Sequence, residues 1–154
     1  MNTQELLINL TNKRVDGLFF AARQFPADKL DWKPTPASRS ALDMLQEIAT
    51  ALDEFEGLFT SRKLEWDENS YMNWVSERSK ITSLDDLEAM TRDATQKLAS
   101  LIQQSDTSTY AEPVQLPFPG EFNVADVLAY HLWNMSYHEG QIYYIQTLIE
   151  GSAS

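Results

Sequence analysis

Residues 124–149, VADVLAYHLWNMSYHEGQIYYIQTLI, carry a helical pattern interrupted by no proline and a single glycine. A helix of that length is roughly 40 Å long, the width of a small domain, so the rest of the chain has to pack along it. At 100° per residue, Val124, Val127, Leu128, His131, Asn134, Met135, His138, Ile142 and Ile145 fall within about 60° of one direction. Such a stripe is buried only by other helices, and it carries both histidines of the chain into the interior.

Three further segments repeat at helical spacing. From Thr3 to Gln24, Ile8, Thr11, Val15, Leu18, Phe19 and Ala22 return on one face, and Phe25-Pro26 ends the run. Ser40, with Asp43 three residues on, caps a second helix predicted from Ala41 to about Thr60. Its stripe is Ala41, Met44, Leu45, Ile48, Leu52, Phe55 and Phe59, and Glu47 sits at the stripe's margin. Ser83 starts a third helix that ends near Gln103, with Leu84, Leu87, Thr91, Ala94, Leu98 and Leu101 facing inward. Asn123, followed by Asp126, caps the last helix, which is predicted to run to about Ile149.

Between Ser61 and Thr82 the spacing is lost, and Trp66, Tyr71 and Trp74 stand among charges, with Tyr71 to Glu77 the best stretch for a short helix. The prolines of SDTSTYAEPVQLPFPGEF exclude a central strand and leave only Val114 to Leu116 for a short edge pairing. The expected architecture is all-α: a four-helix bundle with one long crossover between its second and third helices, a single domain over residues 1–154.

Composition narrows the chemistry. With no cysteine there are no disulfides, thiolate zinc sites or cysteine nucleophiles, so a metal would have to be held by nitrogen and oxygen. The formal charge of −11, with lysines and arginines scattered among acids, repels phosphate backbones and argues against nucleic acid as a partner. No basic leader precedes an apolar run and no apolar run is long enough for a membrane span, so a soluble cytoplasmic protein is expected. Nucleophile elbow, P-loop and dinucleotide fingerprints are missing.

What chemistry remains centres on the last helix. Asn134 and His138, one turn apart, can converge on one ion, whereas His131 and His138 are separated by two turns, roughly 10 Å. Glu47 on the second helix is the best third ligand by type, which makes Glu47, Asn134 and His138 the candidate metal set. A competing reading has the interior histidines as hydrogen-bonded core residues, with Glu47 and His138 paired across the helices. Unligated, Glu47 would be a candidate general base, its pKa raised by burial. Gln141 is placed either to orient His138 or to face solvent, and Gly140 to allow a close helix approach. Tyr130, Trp133, Tyr137, Tyr143 and Tyr144 are expected to pack on other helices or on a partner subunit in a homodimer, with substrate stacking the alternative.

QFPADKLDWKPTPASRSALDMLQEIA and, much later, NVADVLAYHLWNMSYHEGQIYYIQTLI together resemble the DinB-like family, also known as the YfiT-like metalloenzymes. The most specific match is His138-Glu-Gly-Gln-Ile142, against a family motif of histidine followed by x-Gly-Gln-Ile. The resemblance implies an up-down-down-up four-helix bundle and, in its metal-binding members, zinc or nickel on three histidines. Those positions fall on Glu47, Asn134 and His138, so one histidine of three is kept and the set leans toward harder ions such as magnesium or manganese. Family members with known activity include enzymes that use a low-molecular-weight thiol, namely bacillithiol, mycothiol or glutathione, in transfer or isomerisation of small substrates. Two functions follow as expectations: a divalent-metal-dependent thiol transferase with an altered site, or a non-catalytic bundle that has lost the metal and binds a small ligand or a second copy.

Overall fold

The computed structural model describes residues 1–55 and 57–152. Its long helices are α1 (Thr3–Ala22), α2 (Ala41–Glu54), α5 (Leu84–Gln104) and α6 (Val124–Ser152), with short α3 (Leu58–Ser61) and α4 (Glu68–Arg78) in the crossover. The start of each long helix is fixed by side-chain oxygens on otherwise unpaired amides. Asn2 and Glu5 exchange hydrogen bonds at α1, Ser40 accepts from Asp43 N at α2, Ser83 accepts from Asp86 N at α5, and Asn123 and Asp126 exchange bonds at α6.

α1 and α2 each pack against both α5 and α6, so the four surround one core with α1 diagonal to α2. Leu18, Phe19, Leu45, Ile48, Leu87, Met135 and Ile142 fill one end of this core; Leu58, Leu98, Ile102, Val127 and Leu128 fill the other. Between them in sequence on α1, α5 and α6 come the buried polar residues Thr11, Thr91, Thr95, His131 and Asn134, a polar belt across the bundle. Each threonine settles its hydroxyl on the carbonyl four residues earlier, which lets it sit in a core without a cross-chain partner.

Beyond small shifts at the ends of α1 and α6, three boundaries differ from the sequence reading. α2 stops at Glu54, and the apolar spacing that seemed to extend it to Thr60 belongs partly to α3, which begins after Gly57. The crossover helix is longer than Tyr71 to Glu77, because Asp67 caps it at Ser70 N and adds a turn. Only Val114 of the expected edge segment is in a strand: β1 (Pro113–Val114) pairs antiparallel with β2 (Phe122–Asn123), while Gln115 bridges to Lys63. Gly120, at φ +132°, makes the reversal between them possible.

Gly140 does not serve a close approach. A Cβ there would meet nothing within 4 Å, whereas one on Gly17 of α1 would come within 3.0 Å of Glu139 Oε1 on α6. What a side chain at Gly17 would displace is the Glu139 carboxylate, which Arg14 holds at 2.5 Å.

Candidate functional site

Because α2 neighbours α6, the margin of one stripe faces the centre of the other, and Glu47 meets His138. Glu47 Oε1 lies 3.3 Å from His138 Nε2, and the side-chain amide of Gln141, one turn further along α6, meets His138 Nδ1 at 2.6 Å. Both ring nitrogens are thus engaged, and Gln141 orients the imidazole. The His138 side chain is 3% exposed and that of Glu47 15%.

The other oxygen of Glu47 belongs to two arginines. Arg39 Nη1 approaches Oε2 at 2.7 Å, and Arg78 Nη1 stands 3.7 Å away. Arg39 precedes the α2 cap and runs back along the first two turns, also bonding Asp43 through Nε at 2.5 Å. Arg78, from the end of α4, is buried and donates to the Asp43 carboxylate at 3.0 Å and to its carbonyl at 3.2 Å. Its guanidinium lies 4.4 Å from the ring centre of Trp74, whose Nε1–H donates to Thr50 on α2 at 2.9 Å. Burial alone would push the Glu47 carboxyl up; the His138 hydrogen bond and the Arg39 charge outweigh it and hold the pKa at about 2. Glu47 is therefore held as an anion by its partners, and the expected upward shift of its pKa is reversed.

The third candidate ligand, Asn134, is 2% exposed, one turn before His138, and its Nδ2 has no hydrogen-bond partner among the described residues. His131 lies elsewhere, in the polar belt. It is fully buried, its Nε2 is 3.0 Å from Thr95 Oγ1, its Nδ1 is unpartnered among the described residues, and burial lowers its pKa to about 4. The hydroxyl of Thr95 is committed to the Thr91 carbonyl, so His131 Nε2–H must be the donor and Nδ1 a bare acceptor.

The structure brings Glu47 and His138 together, keeps His131 apart, and adds Arg39, Arg78 and Trp74, which the sequence reading passed over. Arg39 had a readable signal, since it stands four residues before Asp43 and two turns before Glu47. Arg78 and Trp74 lie in the stretch without periodicity and had none. Among the described residues, no three His, Asp or Glu side chains gather as a metal-ligand cluster.

The model of the DinB family matches residues 1–147 of this sequence. The chain belongs to the DinB family. No protein with a curated function matches the sequence closely enough to lend it an activity. Solved structures resemble this DinB-family chain in fold at low identity. YfiT from Bacillus subtilis, described as a probable metal-dependent hydrolase with an unusual four-helix bundle topology, superposes with a TM-score of 0.78 at 12% identity, over 97% of this chain and 90% of its own. The colibactin self-resistance protein ClbS, solved with a dsDNA, gives 0.70 at 12% identity over 94% and 95%. An uncharacterised protein from Clostridium difficile 630 gives 0.68 at 11% identity over 97% and 98%. These likenesses establish the DinB/YfiT-like four-helix bundle for this chain. Among the described residues, no helix is long and apolar enough to cross a membrane.

Proposed function

We propose that this DinB-family bundle has exchanged its metal centre for a network of charges and works as a small-molecule-binding protein rather than as a metal-dependent thiol transferase. The observation that carries the reading is the shared Glu47 carboxylate, with His138 at 3.3 Å on one oxygen and Arg39 at 2.7 Å on the other. A divalent ion needs at least three good donors, and this set does not fit one. Glu47 is already neutralised by Arg39 with Arg78 close by, and a dication placed between Glu47 and His138 would be repelled by both guanidiniums. Asn134 offers an amide oxygen, a weak substitute for imidazole. The charge of −11 speaks against extending to this chain the DNA contact seen in the ClbS complex.

Elemental analysis tests the reading. After exposure to zinc, nickel, manganese and magnesium and exhaustive buffer exchange, the protein is expected to retain no stoichiometric metal. The double variant Glu47→His, Asn134→His is expected to acquire about one zinc or nickel per chain. About one metal per native chain, lost in His138→Ala, would instead make Glu47, Asn134 and His138 a metal site and restore the thiol-transfer mechanism.

A further inference from the structure

Where α6 emerges from the β-hairpin, a cavity of about 660 Å³ opens between α6, α3 and the loop that carries Phe118. Its apolar floor includes Phe55, Leu58 and Val127, and its aromatic walls are Phe118, Phe122, Tyr130 and Trp133. Tyr130 sits edge-on to Phe55, with ring centres 5.1 Å apart and planes at 75°. Trp133 follows at 5.9 Å, and Tyr137 stacks on Trp133 at 5.4 Å with planes 14° apart. These rings form a continuous ladder along α6 from the cavity to His138, which Tyr137 touches edge-on at 5.2 Å.

Phe118 is 47% exposed and Trp133 57%, so two large rings stand open to solvent at one mouth. The charged residues that line the cavity are of one sign, while Tyr130 also lies within reach of the Glu47, Arg39 and Arg78 charges behind it. Glu121 and Asp126 line the cavity, and no lysine or arginine does. Asp126 gives one oxygen to the Asn123 amide at 2.9 Å, and Glu121 has no ion pair or hydrogen bond among the described residues. The faces of aromatic rings attract cations, and carboxylates at the rim of an aromatic wall attract the same sign of charge. An anionic ligand meets repulsion here, and a neutral one gains only the apolar contact.

We infer that this cavity is a binding site for a planar aromatic cation, stacked on Trp133 and Tyr130 with its positive charge toward Glu121 and Asp126. The volume is that of a drug-sized ligand site, built mainly of apolar surface with few polar groups. The inference rests on the ligand-binding reading above in giving this face an occupant. Its test is separable from the metal question because none of the cavity's lining residues is a candidate metal ligand, although Tyr130 feels the charges of Glu47, Arg39 and Arg78.

The test is calorimetric titration of the native chain with N-methylacridinium and with acridine, its neutral counterpart of the same shape, at a pH where acridine carries no charge. The cation is expected to bind about tenfold more tightly than the neutral ring. Trp133→Ala, on the exposed face, should weaken the cation by about tenfold, Trp133→Phe by less, and Glu121→Gln by about threefold with the neutral ring unaffected. Equal affinity for both probes, or cation binding untouched by Trp133→Ala, would overturn the proposal, as would a solution dimer that shields Trp133. Metal found in the native chain would refute the proposed function while leaving this titration to be read by itself; failure of the titration alone would refute only the cavity's assignment.

Discussion

His131 shows how a single buried ring sets the acid limit of the fold. Its pKa is lowered by burial from 6.5 to about 4, so the unfolded chain binds the proton more readily. The stabilisation is full above pH 6.5 and is lost as pH falls through about 4, on the order of 3 kcal/mol in all. Urea midpoints measured across this window should fall in the native chain and change much less in His131→Gln; parallel curves would show that the ring is not the titrating group. Glu47 acts at lower pH, since its carboxyl titrates between its ordinary 4.5 and about 2. Its removal is the harsher change at neutral pH. Glu47→Gln leaves Asp43 as the carboxylate that Arg39 and Arg78 still share and removes the charged partner of His138, and a loss of about 2 kcal/mol is expected in thermal or urea unfolding.

Among the elements, α6 repays attention because one of its residues works against it. Gly140 costs the helix about 1 kcal/mol against alanine, and a methyl group there meets open space. Gly140→Ala should therefore stabilise the protein by about that amount, with the melting temperature as readout; destabilisation would mean that the surface around Gly140 is occupied. The sequence places Gly140 in the helix but is silent on which of two glycines meets a neighbour, since that depends on where Glu139 of α6 lies against α1. All four long helices were legible from their apolar spacing, and for three of them the caps Ser40, Ser83 and Asn123 agree with it. The break between α2 and α3 was not, because Phe55 and Phe59 keep the spacing across it while the backbone turns. Within the site, the nearness of Glu47 and His138 was legible from helical geometry, while Gln141 was open between orienting His138 and facing solvent. Arg78 was hidden, because its place depends on how α4 folds back along α2, and segments that dock through an ion pair and a tryptophan leave no periodic trace.

For the molecule as a whole, the polar belt of Thr11, Thr91, Thr95, His131 and Asn134 divides what would otherwise be a single apolar core. Direct bonds across this belt are sparse: His131 to Thr95 is one, and the unpartnered atoms of His131 and Asn134 face it from the side of α6. Apolar burial is what makes distant parts of a bundle unfold together, so an interruption of this kind weakens the coupling between its ends. The two halves should consequently behave as separate cooperative units. Amide hydrogen exchange under native conditions is expected to fall into two classes of opening free energy, one for residues packed around Leu45, Met135 and Ile142 and one for those around Ile102, Val127 and Leu128. The change of class along α6 should come at His131 to Asn134, in the middle of an unbroken helix, and a single class throughout would show that the belt transmits cooperativity. Such a division would let the end that holds the aromatic cavity open and close on its own while the end that holds the charge network stays folded.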